Sequence, residues 1–134
     1  MKTLLLATTL LISNLIFSQN VTNVEDKQPE EKYDNVLVKK LYSDTKASYF
    51  IIWIKKDVSS HKHATHTESI IVIEGTGLMT VGDKTFDIKK GDYFVIPENT
   101  FHALKVTSKE PIKVISTQTP EFLGKDRVFE HPKK

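Results

Sequence analysis

The chain has 134 residues, with 19 basic and 17 acidic side chains, a formal net charge of +2 and no cysteine. Charge this close to balance excludes nucleic acid or an anionic membrane as the main partner. Without thiols there can be no disulfide, thiolate zinc site, cysteine nucleophile or lipid-anchoring cysteine.

The first eighteen residues have the order of a secretory signal peptide: Lys2, then the charge-free, mostly apolar run Leu4 to Phe17, then Ser18. That run is shorter than the roughly 20 apolar residues of a membrane span. A polar, acidic segment follows it, so removal is expected rather than retention as an anchor. The mature protein is then periplasmic or secreted, and loss of Lys2 lowers its formal charge to +1. Residues 19–34, "QNVTNVEDKQPEEKYD", offer few groups worth burying and read as a flexible lead or extended arm.

From Asn35 the chain consists of short β-rich runs, and residues 35–128 are expected to form one domain. Strands are predicted at Val36–Tyr42, Ser48–Lys56, Glu68–Glu74, Leu78–Val81, Thr85–Ile88, Tyr93–Ile96, Phe101–Val106 and Pro111–Gln118. In the second, Tyr49, Ile51 and Trp53 face one way and Phe50, Ile52 and Ile54 the other, which predicts a strand covered on both faces. Between the runs stand "EGTG", "VGDK", "KKGD" and "PENT", each supplying the Gly, Asn, Asp or Pro of a turn. No helical period appears after residue 18, so the fold class is all-β, an antiparallel sandwich or barrel. The trailing "PEFLGKDRVFE" is expected to pack along the outside, and 129–134 is a basic tail whose His131 lies on the surface.

Three of the five histidines lie in "HKHATHTESIIVIEGTG", residues 61–77. Side chains two apart on a strand share a face, so His61 and His63 point together. Glu68 has the opposite parity on a continuous strand, but the polar "ATHT" is suited to a turn, and a turn brings Glu68 back beside the imidazoles. His66 then sits in the turn and is expected to be solvated. Two imidazoles and a carboxylate on one face suit a divalent transition metal, and a fourth ligand is expected from a neighbouring strand. His102, at the start of "FHALKV", is the candidate for it. Trp53, Phe50, Tyr93, Phe94, Phe101 and Met79 either line a cavity or, more ordinarily, fill the core.

These residues resemble the two motifs of the cupins, small jelly-roll β-barrels. The first motif is met by His61, His63, Glu68 and Gly75 without a gap. The second is met by Gly91, Pro97 and His102, with Asn99 where a second Gly is usual and Val106 where Asn is usual. Asn tolerates the left-handed backbone that Gly would adopt. The resemblance spans about residues 48–118. It implies an antiparallel jelly-roll barrel in which His61, His63, Glu68 and His102 ligate a divalent transition metal (Mn, Fe, Ni, Cu or Zn). It also implies open coordination positions for a small chelating molecule. Two functions are compatible with it. One is a metal-dependent oxygenase or isomerase with Glu68 as a base; the other is a module that binds a metal or small ligand without turnover. Small cupins also pair, and the Val36–Tyr42 strand is an expected edge for a homodimer.

Overall fold

The computed structural model describes residues 21–130. Residues 1–18, read above as a signal peptide, His131 and most of the tail lie outside the described residues.

Among the described residues, ten strands form two five-stranded antiparallel sheets: β1 (Val36–Ser43), β2 (Ser48–Ile54), β3 (Asp57–His63), β4 (Thr67–Glu74), β5 (Thr76–Val81), β6 (Lys84–Lys89), β7 (Tyr93–Ile96), β8 (His102–Val106), β9 (Ile112–Thr119) and β10 (Arg127–Phe129). One sheet has the order β1-β2-β9-β4-β7 and the other β10-β3-β8-β5-β6. This is the expected all-β jelly roll, and no helix among the described residues is long and apolar enough to cross a membrane.

Alternation along the strands decides which side chains meet between the sheets. Ile54, Ile70, Val72, Met79, Ile88, Ile96, Leu104, Ile112 and Val114 form the inner core. Burying this many aliphatic side chains, at about 1.5–3 kcal/mol each, is the main force closing the barrel. The opposite face of β2 is also buried, as its two-sided apolar pattern predicts. Ile51 and Trp53 join Leu37 there, and Val24 and Tyr33 of the polar lead pack over them.

The lead is therefore an arm docked on the outer face. Lys113 on β9 is fully buried, and its ammonium donates to the carbonyls of Val24 (3.2 Å), Glu25 (2.8 Å) and Lys27 (3.1 Å). Glu74 completes the cradle at 2.6 Å. A buried ammonium is tolerated only with this degree of satisfaction.

Two glycine-motif positions explain themselves sterically. Gly75 has φ +80°, and a Cβ there would stand 2.8 Å from the Ile112 Cα. Asn99 adopts φ +57°, the left-handed turn anticipated for Asn in place of Gly. Its backbone N–H reaches the His63 carbonyl at 2.6 Å, which ties the β7–β8 turn to β3.

The trailing segment departs from expectation. It does not lie along the outside: β10 pairs with β3, placing Arg127 opposite His63 and Phe129 opposite His61. Both residues line the mouth of the interior cavity. β10 runs one residue past the expected domain edge at 128. Its side chains are exposed, so it is held by ladder hydrogen bonds and not by a buried apolar face.

Candidate metal centre

The four residues singled out in the sequence come together between the sheets. His61 and His63 end β3, Glu68 opens β4 and His102 opens β8. The chain turns at residues 64–66, so Glu68 faces back toward the two imidazoles, as the parity of the segment requires. All four side chains are buried. The ligating nitrogens of His61, His63 and His102 lie within 4.8 Å of one another. Glu68 Oε2 stands 3.7 Å from His63 Nε2 and 3.5 Å from His102 Nε2.

The hydrogen bonds of the three rings fix where their lone pairs point. His61 Nδ1 donates to the Ser59 carbonyl at 2.9 Å, and His102 Nδ1 to the Thr100 carbonyl at 3.1 Å. His63 Nδ1 faces a carboxylate oxygen of Asp126 at 3.1 Å. Each acceptor demands a proton on Nδ1, so each neutral ring offers the lone pair of Nε2. The buried His63 Nε2 has no hydrogen-bond partner among the described residues. Burial pushes the His61 and His102 imidazoles down to about 4, against the hydrogen bonds they donate to the Ser59 and Thr100 carbonyls, which favour the charged form. They are therefore neutral and ligand-ready at ordinary pH.

Glu68 is aimed in the same way. Its Oε1 accepts from the Ser116 hydroxyl and from Gln118 Nε2 (3.3 Å), both on β9, leaving Oε2 to the histidines. Three imidazoles and one carboxylate, all oriented by outer partners, form a donor set that suits a divalent transition metal.

His66 corrects an expectation. It is buried rather than solvated: Nε2 faces the Glu121 carbonyl at 2.8 Å and Nδ1 faces Asp126. Both partners are pure acceptors, so both ring nitrogens carry protons and the ring is an imidazolium. Burial acts against that charge, but the Glu121 carbonyl and the Asp126 carboxylate outweigh it and raise the group. Burial likewise raises the Asp126 carboxyl, and the hydrogen bonds from His63 and His66 overcome it to hold the group at about 2. Asp126 and Gln118 carried no motif in the sequence. Their role arises from contacts 63 and 50 residues away along the chain.

Beside the four residues lies a cavity of about 280 Å³. Phe50, Met79 and Phe94 line it, so these three do more than fill the core. Trp53 belongs to the outer face, Tyr93 is exposed, and Phe101 lies under the Lys62 ammonium at 4.9 Å.

The family model for a cupin domain matches residues 49–117. The chain belongs to the cupins. This cupin is 36% identical over 66 residues to an uncharacterized protein of Methanocaldococcus jannaschii, covering 49% of the chain and 53% of that protein. A second uncharacterized protein, from Aquifex aeolicus, is 27% identical over 117 residues, covering 85% of the chain and 96% of its own length. The chain thus spans about half of the first relative and nearly all of the second. Among solved structures, a conserved Klebsiella pneumoniae protein with a double-stranded β-helix domain superposes with a TM-score of 0.71. That match covers 86% of this cupin and all of the other chain at 15% identity, and it speaks to the fold alone.

Proposed function

We propose that this cupin holds a divalent transition metal on His61, His63, Glu68 and His102 and uses it to bind a small chelating molecule in the adjoining cavity. The observation that carries this reading is the anchoring of all three imidazoles through Nδ1, which leaves three Nε2 lone pairs free beside one another, those of His63 and His102 next to Glu68 Oε2. A bound ion would supply Lewis acidity or a dioxygen site, with coordination positions left open.

The signal-like residues 1–18 support export, so the ion is acquired outside the cytoplasm. Affinity alone then favours copper or zinc over iron or manganese. A homodimer through the β1 edge is supported by the exposure of Val36, Val38, Leu41 and Tyr42.

Binding without turnover is favoured over catalysis by the cavity wall. Apart from the four residues, its ionisable side chains are Asp57 and Arg127, and Asp57 is already engaged by Asn35. The deciding experiment is elemental analysis of the mature protein beside His61→Ala and His102→Ala. About one metal per chain is expected in the wild type, with loss in both variants. Unchanged content in both refutes the site. Oxygen uptake with diketones, phenolic diols and thiols then separates an oxygenase from a binder.

A further inference from the structure

Gln118 carries a polar atom that the fold itself does not use. Its carboxamide lies against Glu68 Oε1, which also receives the Ser116 hydroxyl. A carboxylate only accepts, so the Gln118 NH₂ must face it and the carbonyl oxygen must turn away. That oxygen, Oε1, is buried without a hydrogen-bond partner among the described residues, on a side chain only 3% exposed. Gln118 lines the cavity beside the metal ligands. A buried acceptor left without a donor is costly, so its place beside a cavity points to a donor on whatever the cavity holds.

Arg127 supplies a second group: its exposed guanidinium lies 5.9 Å over the Phe122 ring and has no carboxylate partner among the described residues. It stands opposite His63 in the β10–β3 ladder, so the two side chains share the inward face. It lines the same cavity at its mouth. No carboxylate of the described residues is within ion-pair distance of it; the charged pairs nearby are His63 with Asp126 and His66 with Asp126. The guanidinium is permanently charged. With a divalent ion on three imidazoles and one carboxylate, and the Arg127 guanidinium beside them, this end of the cavity would suit an anion.

The rest of the cavity has the opposite character. Ile52, Ile70, Phe94, Ile96, Leu104 and Val114 wall it. Its volume of about 280 Å³ is well above the ~150 Å³ apolar cavity that holds one benzene. One substituted ring, or a branched aliphatic chain, fits such a space.

We infer that the cavity takes a small 2-hydroxycarboxylate with an apolar or single-ring side chain: the carboxylate answers Arg127 and the metal, the hydroxyl donates to Gln118 Oε1, and the apolar group fills the interior. This inference rests on the metal reading above. A molecule lacking the hydroxyl leaves Gln118 Oε1 unanswered, and one lacking the carboxylate leaves Arg127 unanswered.

The test uses the mature protein loaded with Co²⁺, its stoichiometry fixed first by elemental analysis. Mandelate, phenylacetate and 1-phenylethane-1,2-diol are then titrated by isothermal calorimetry. Mandelate is expected to bind at least about tenfold more tightly than either analogue. Gln118→Met should bring mandelate down to the level of phenylacetate, and Arg127→Met should bring it down to the level of the diol. The cobalt content of each variant is measured beforehand, so that a loss of Glu68 alignment is not mistaken for a loss of ligand contact. Equal binding of the three molecules to fully loaded protein overturns the ligand class and leaves the metal site standing. A mandelate preference that survives in both variants overturns it as well. A chain that takes up no cobalt overturns the metal reading and this inference together.

Discussion

Asp126 shows how much of a site can rest on a side chain that never faces its centre. One carboxylate meets two rings, the Nδ1 edge of His63 that points away from the centre and the buried imidazolium of His66. Its charge makes His63 a stronger electron donor than a carbonyl acceptor would. Asp126→Asn keeps the size but gives up the charge and cannot accept from both rings with equal strength. Metal affinity is expected to fall about 10–100-fold, measured by competition with a chromophoric chelator. An unchanged affinity would reduce Asp126 to a structural contact. His61, His63 and Glu68 could be placed on one face from short-range parity and turn chemistry, whereas His102, on a distant strand, was reached as the remaining candidate and through the resemblance. His66 looked like a solvated turn residue because its partners are invisible locally: Glu121 and Asp126 lie 55 and 60 residues further on.

At the scale of elements, the strands with apolar alternation were found close to where the structure has them. β2 and β4 carry enough branched and aromatic residues to announce themselves. The missed pieces share a physical reason. β3, "DVSSHKH", spends its inward positions on the site rather than on the core, and β10, "RVF", has three exposed side chains. Neither shows the period by which a strand is recognised. The polar lead is held in part by one buried ammonium, and nothing in its composition reveals the carbonyls that Lys113 will find. Lys113→Met removes the donor and leaves those carbonyls against an apolar side chain. Hydrogen exchange at residues 24–27 is expected to accelerate to the rate of an undocked segment. Continued protection would mean that Val24 and Tyr33, packed on Leu37, Ile51 and Trp53, suffice to hold the arm.

For the molecule as a whole, the buried rings couple stability to pH. His61 and His102 are held at about 4 in the folded chain, against about 6.5 for an ordinary imidazole. Between those values the unfolded chain takes up protons that the folded one refuses, so the contribution present above pH 6.5 is lost as pH falls through about 4. His66 has the opposite sense: its raised value stabilises the fold below about 6.5, and that contribution fades as pH rises. Metal-free protein should therefore show a melting temperature that declines from about pH 6.5 toward pH 4. Thermal unfolding at several pH values would show this, and a flat profile across the window would contradict the burial of neutral rings.

The span of chain between the outer partners carries a kinetic consequence. His63 meets Asp126 across 63 residues, and Glu68 meets Ser116 across 48. Such distant loops close late in folding, so the donor set is complete only after most of the barrel has formed. A metal that needs the whole set rewards the native state and offers little to the transition state. It then prolongs the lifetime of the fold, slowing escape from the native basin without hastening arrival there.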